Sequence, residues 1–221
     1  MNISNIKGLK YPEEYFIRFF FKNNLQNYSD KRYLEFGCSN GCNLTLPYQF
    51  KNQVIGIDYN TQLIEHANEN FTSQNSQTDF KFYTDDMRTF CQNNKNINAD
   101  VLVLASSIYY IPKEDFVLML KNIIKNKLIK KNIPFYLRFR LPNDFRNNKD
   151  KTLEKNSVII NNNITGEDGV FCKFYTVDEM LKILRDELNL SDFSIMETTY
   201  ENIQNNVKIF NSDVIIWGTI N

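Results

Sequence analysis

Leu34-Glu-Phe-Gly-Cys-Ser-Asn-Gly-Cys-Asn43, followed by Val54-Ile-Gly-Ile-Asp-Tyr59, decides how the chain is read. Each begins as a short apolar run of strand length. The first runs into a turn carrying two of only seven glycines in the chain, and the second stops at an acid. Working outward, the same grammar repeats. Strand-like runs occur at Tyr33–Phe36, Val54–Ile57, Phe80–Tyr83, Val101–Ala105 and Pro134–Phe139. Helical periodicity occupies Thr61–Phe71, a short turn near Met87–Cys91, and Glu114–Lys130. In that last stretch Phe116, Leu120, Ile123, Ile124 and Leu128 fall on one face. Strands alternating with helices predict a parallel sheet with helices on both faces, and the uninterrupted Val101–Ala105 run suits a strand buried on both sides.

The two ends depart from this grammar. Pro12 stands at a helix start, with Phe16, Phe19 and Phe20 at helical spacing behind it, so residues 1–30 read as an N-terminal helical segment whose stripe packs. Thr176-Val-Asp-Glu179 is a capping box that opens a helix through about Leu188. Two strand-like stretches follow, Phe193–Thr199 and Val207–Thr219, joined by an Asn-rich turn and therefore antiparallel. Between Pro142 and Lys173 no period is visible, which predicts a long functional insertion in a single 221-residue domain.

Composition bounds the function. Basic and acidic side chains balance at 26 each, which argues against nucleic acid or a membrane surface as partner. Cys38, Cys42, Cys91 and Cys172 have only His66 to complete a metal site, so no metal is expected and the thiols read as free and buried in a reducing cytoplasm. The N-terminus lacks a signal-like run, and no apolar run is long enough to span a bilayer.

The chemistry-bearing residues gather at strand ends. Gly37 and Gly41 let a loop backbone approach a ligand without a Cβ in the way, and Glu35 just before them can reach an amino group. Asp58 ends the second strand, where an acid accepts hydrogen bonds from ribose hydroxyls. Thr84-Asp-Asp-Met-Arg88 ends the third strand, offering a carboxylate to an adenine amino group and Met87 to pack on the ring.

Taken together, Tyr33–Gly41, Val54–Tyr59, Asp85–Arg88 and Asp100–Ser106 resemble the class I S-adenosylmethionine-dependent methyltransferases. The resemblance covers roughly Tyr33 to Arg140. It implies a Rossmann-like seven-stranded sheet in the order 3-2-1-4-5-7-6, with the last strand antiparallel, and S-adenosylmethionine as cofactor. By that likeness Glu35 and Gly37 hold the amino-acid end, Asp58 the ribose, and Asp86 with Met87 the adenine, with Asp85 as the alternative partner. Cys38, Gly41, Tyr59 and Ser106 lie in the same motifs and are expected at the cofactor. Ser39 departs from the family, which more often has glycine there.

Two rival readings stand beside this one. A nicotinamide-dependent dehydrogenase is suggested by Ser106, Ser107, Tyr109 and Lys113, but Pro112 breaks the helical turn that would align Tyr109 with Lys113, and the Gly-x-Gly-x-x-Gly fingerprint is missing, with Ser39 and Cys42 where its second and third glycines would stand. The other is a binding protein that keeps the cofactor fold without catalysis.

Acceptor-binding residues are expected in the N-terminal segment (Tyr11, Tyr15, Arg18), after the fourth strand (Tyr109, Tyr110) and around the insertion (Arg138, Arg140, Asp144, Arg146). Thr165–Gly169 followed by Phe174-Tyr175 would form an acceptor lid over 142–173. The insertion is too small for a macromolecular substrate domain, so a small-molecule acceptor is expected, and an already deprotonated acceptor oxygen would account for the lack of a histidine base. It would be an anionic metabolite or activated sugar held by Arg138 and Arg140, with Tyr109 beside them. Pairing of those arginines with local acids such as Asp144 or Glu167 is the competing expectation.

Overall fold

A computed structural model describes residues 5–74, 78–147, 154–162 and 164–221. Nine strands occur among them: β1 Arg32–Phe36, β2 Gln53–Asp58, β3 Phe80–Thr84, β4 Val101–Ala105, β5 Ile133–Arg140, β6 Ser157–Ile159, β7 Phe171–Lys173, β8 Leu190–Gln204 and β9 Val207–Ile220. The helices are α1 Glu14–Lys22, α2 Thr45–Gln49, α3 Thr61–Thr72, α4 Met87–Asn93, α5 Lys113–Lys125 and α6 Val177–Leu188. Seven strands form one sheet in the order β3-β2-β1-β4-β5-β9-β8. Strands β1 to β5 pair in parallel, and β9 runs antiparallel to both β5 and β8. This is the expected seven-stranded order, with the small β6–β7 hairpin inserted after β5.

Burial follows the sheet's two faces. Alternate residues of β1 divide: Leu34 and Phe36 join the core under α4, α5 and α6, while Tyr33 joins the core under α1 and α3. On that second face Phe16 and Phe19 of α1 pack against Tyr136 with ring centroids 5.5 and 5.4 Å apart, so the N-terminal phenylalanine stripe is core. All four cysteines are free and buried. No helix among the described residues is long and apolar enough to cross a membrane.

Local chemistry explains the boundaries. Asn60 caps α3 by accepting from Leu63 N, Asp86 caps α4, and Thr176 caps α6 by accepting from Glu179 N. Asn205 and Asn206 both adopt left-handed backbone, the requirement of a two-residue hairpin turn, and set the β8–β9 register.

Three expectations need correction. Helix α5 ends at Lys125, short of Lys130, because Lys127 turns left-handed and the Asn126 side chain donates to Cys91 O at 2.7 Å. Leu128 is therefore buried from beyond the helix, Met119 fills its core face, and Ile124 is exposed. The insertion is not without structure, since it holds the β6–β7 hairpin. Phe174 and Tyr175 are fully buried in the core beside Phe116 and Phe139 and cannot serve as a lid.

Candidate active site at the carboxyl edge of the sheet

A cavity of about 520 Å³ opens where the loops after β1, β2, β3 and β4 converge. That lies within the ordinary range for a small-molecule site, at the strand ends where open α/β sheets bind ligands. The β1 loop contributes Gly37 and Ser39, the β2 end Asp58 and Tyr59, and the β3 end Asp85, Asp86, Met87 and Arg88. Ser106, Ser107, Tyr110 and Ile111 come from beyond β4, and Gly166, Glu167 and Val170 from the insertion.

The glycine loop is fixed from beneath. Gly37 N and Cys38 N both donate to Ile57 O, at 2.7 and 3.0 Å, which ties the loop to the neighbouring strand. Gly37 has a φ of +73°, and a Cβ there would lie 2.3 Å from Cβ of Ser107. The glycine is thus required by conformation and by space at once. Gly41 differs from expectation. Its backbone is also left-handed, but a Cβ would strike the rings of Phe71 and Phe82, and the residue does not line the cavity. Its role is packing of the loop onto α3 and β3. Cys38 likewise lies buried away from the cavity, its sulfur filling the space above Gly56.

Three strand-end carboxylates line the cavity and a fourth, Glu35, stands behind it, with different degrees of commitment. Asp58 accepts from Ser39 N and Asn60 N, both at 2.9 Å, so it shapes the loop and faces the cavity together. Asp86 accepts from Arg88 N at 2.8 Å and from the Arg88 guanidinium at 2.9 and 2.7 Å, which holds its carboxyl below the usual range. Asp85 makes no side-chain hydrogen bond or ion pair among the described residues, leaving its carboxylate open to the cavity. Glu35 stands behind the loop, 1% exposed and outside the lining. Asn43 Nδ2 donates to its Oε1 at 2.8 Å, while Oε2 is buried with no partner. Burial pushes its acidity well toward the neutral form, Glu13 and Asp58 add to that, and Asn43 opposes it.

On the insertion side one residue organises the wall. Glu167 accepts from Tyr110 Oη at 2.5 Å and Arg140 at 2.7 Å through Oε1, and from Arg146 Nε and Thr165 Oγ1 at 2.6 Å through Oε2. Burial alone would raise its pKa, but Arg140, Thr165 and Tyr110 outweigh it and hold the carboxyl at about 2.

The structure separates the residues expected at the acceptor. Tyr109 is buried beneath Arg140, whose guanidinium stacks 4.1 Å above its ring, and does not reach the cavity; Tyr110 does. Arg138 turns toward α1 and pairs with Glu13 at 3.1 Å and Asp213 at 2.7 Å. Arg140 and Arg146 share Glu167, and Arg146 also holds Asp144 at 3.0 Å. All three arginines are paired within the chain and none lines the cavity; Arg140 and Arg146 pair with Glu167 and Asp144, while Arg138 pairs with the distant Glu13 and Asp213. Tyr15 donates to Thr198 at 3.0 Å, and Arg18 pairs with Glu14 on the surface of α1. His66 lies on α3, outside the lining. Glu13 and Asp213 were missed from the sequence; no local signal joins either to Arg138 across 125 and 75 positions.

With this geometry in place, residues 34–126 match a family model described as a methyltransferase domain. No curated protein sequence matches the chain. Three solved structures give the scale of the likeness. A SAM-dependent methyltransferase from Methanosarcina mazei is 20% identical, with a TM-score of 0.60 over 89% of this chain and 97% of its own. One from Clostridium acetobutylicum is 16% identical, with a TM-score of 0.59 over 93% and 90%. Magnesium protoporphyrin IX methyltransferase from Synechocystis PCC 6803, with bound SAM, is 15% identical, with a TM-score of 0.57 over 94% and 76%. At these identities the structures speak for the fold.

Proposed function

We propose that this chain, which carries a methyltransferase domain on the class I, S-adenosylmethionine-dependent fold, transfers a methyl group from that cofactor to a small molecule in the cytoplasm. The observation that carries the reading is the pair of strand-end carboxylates on one cavity wall, Asp58 and Asp85, with Glu35 behind the glycine loop. Asp58 faces the cavity at the β2 end and suits ribose hydroxyls. Asp85, with an open carboxylate, suits the adenine amino group, and Met87 suits the ring face. Asp86, the family-like position, is held by Arg88 and the α4 cap, so Asp85 takes the adenine contact in this reading. The buried, unpartnered Glu35 Oε2 suits an ammonium group, and the absent Cβ of Gly37 leaves the loop backbone close to the ligand.

When bound, S-adenosylmethionine supplies a methyl group already activated by its sulfonium. The chain's own residues then bind, orient and exclude water. Ser107 anchors the β4 loop by donating to Phe36 O at 2.7 Å, and Tyr110 with the 166–170 segment closes the opposite wall. The insertion is accordingly read as an acceptor lid, with Glu167 as its fastening. Arg138 and Arg140 are framework residues in this reading, and the acceptor is a neutral or cationic small molecule.

Titration calorimetry tests the reading. S-adenosylmethionine should bind the wild type, and Asp58→Ala should weaken binding by about 1.5–3 kcal/mol, the worth of hydrogen bonds to a charged group. Unchanged affinity in a folded variant removes Asp58 from the site, and no binding by the wild type refutes the reading.

A further inference from the structure

Two polar side chains on the cavity wall have donors already engaged within the chain. Ser107 Oγ gives its proton to Phe36 O. Arg88 directs Nε and one terminal nitrogen at Asp86 and the other at Asp115 at 2.7 Å. Asp58, Asp85 and Asp86 accept only when ionised. Tyr110 is the group at the insertion side whose polarity is open to choice, since a phenol can donate or accept. Glu167 removes the choice. It is ionised, clamped by Arg140 and Arg146, and can only accept, so the proton in the 2.5 Å Tyr110–Glu167 hydrogen bond is the tyrosine's. The remaining valence of Tyr110 Oη is lone pair.

Resting on the methyltransferase reading above, we infer that Tyr110 is a specificity-determining residue, fixed by Glu167 as an obligate hydrogen-bond acceptor that selects methyl acceptors presenting an O–H or N–H. An alcohol, phenol or neutral amine satisfies Tyr110 Oη. A carboxylate, phosphate or ketone oxygen turned toward it meets lone pair against lone pair. A buried polar group left unpaired in this way is disfavoured more than a hydrogen bond is favoured. Glu167 is a positioning residue, because it acts on the ligand through the orientation it imposes on the phenol. The two glycines flanking it, Gly166 and Gly169, are left-handed with open space around them, which lets the segment turn the carboxylate inward.

The test uses the full chain saturated with S-adenosylhomocysteine and three probes of similar size: 1-phenylethanol, acetophenone and benzoate. Their affinities are read by ligand-detected NMR. The alcohol should bind the wild type about 2–10-fold more tightly than the ketone, the range of one net hydrogen bond, and benzoate more weakly still. Tyr110→Phe should bring alcohol and ketone to parity. Glu167→Ala should narrow the gap between alcohol and ketone, because the phenol loses the partner that takes its proton and can then donate into the cavity. A merely structural role for Glu167 would change all affinities together without changing their ratio. Equal or tighter binding of ketone or benzoate by the wild type overturns the inference. So does binding of no probe, or an unchanged ratio in Tyr110→Phe. An unchanged ratio in a folded Glu167→Ala removes Glu167 from it, and if that variant does not fold, Tyr110→Phe decides alone. Calorimetry separates the two levels. If S-adenosylhomocysteine binds and the probes show no preference, only this inference falls; if it does not bind, the methyltransferase reading falls with it.

Discussion

The β1–β4 half of the carboxyl edge and the β5-plus-insertion half are built by different means. On the β1–β4 side, each polar residue is fixed by neighbours within a few positions or on the next strand: Asp58 by Ser39 N and Asn60 N, Asp86 by Arg88, Gly37 by Ile57 O. On the insertion side, shape comes from charges that meet across long stretches of chain, Glu13–Arg138–Asp213 and Tyr110–Glu167–Arg140. Substitutions on the first side should act on ligand binding or on the packing and caps beside a single loop. On the second side, removing one charge of a network should act on the fold, whereas Tyr110→Phe, which leaves the charges in place, should act on the ligand.

The largest expected effect breaks or keeps that contrast. Arg140 is nearly buried and balances Glu167, so Arg140→Met should cost about 3–5 kcal/mol in urea unfolding, the usual loss when one partner of a buried pair is removed. A stability loss below 1 kcal/mol would mean the insertion side is not held by charge. Gly41→Val sharpens the boundary from the other side. The branched Cβ meets the rings of Phe71 and Phe82 on a left-handed backbone, so the protein should lose about 2–4 kcal/mol of stability. Cofactor affinity lost with an unchanged melting temperature would instead return Gly41 to the ligand surface.

Smaller effects divide the two adjacent aspartates. Asp86→Ala removes the α4 cap and should cost about 0.5–2 kcal/mol of stability. Asp85→Ala, with no partner to lose, should stay within about 0.5 kcal/mol while weakening S-adenosylmethionine binding. The reverse pattern would move the adenine contact to Asp86.

The gentlest effect is a slope with pH. Glu167 is held at about 2, below its ordinary value of 4.5, so its stabilising contribution is complete above 4.5 and fades as pH falls toward 2. Glu35 is shifted the opposite way by burial, so its ionisation opposes folding as pH rises above 4.5. Urea titrations of the ligand-free protein should therefore show a flatter acid limb for Glu167→Gln and higher neutral-pH stability for Glu35→Gln.

The same contrast explains what was legible in the sequence. Motifs such as Leu34–Asn43 and Val54–Tyr59 carry strand, turn and acid in one short stretch, so periodicity and glycine placement suffice to place Glu35, Gly37 and Asp58 at one edge. Strand β4 was legible to the residue because Val101–Ala105 is apolar throughout. The end of α5 was not, because Asn126 and Lys127 carry no Gly or Pro stop and Leu128 continues the apolar period. Strands β6 and β7, at three residues each, are too short to show alternation. The arginines were visible as candidates, but their partners were not: nothing near Arg138 in sequence points to Glu13, and Tyr109 differs from Tyr110 only in which way the turn after β4 directs it.

The four buried thiols give this protein a built-in clock. Burial pushes Cys42 to about 12 and Cys172 to about 11 and raises Cys38 and Cys91 as well, so the native state presents almost no thiolate to an alkylating reagent at neutral pH. Modification must wait for opening, and its rate at each position measures how often that part of the molecule opens. Cys38 and Cys42 report the glycine loop, Cys91 reports α4, and Cys172 reports β7. If the insertion opens as a unit while the sheet stays closed, Cys172 reacts first and alone. The order of labelling then records which part of the molecule opens most often, without any added probe.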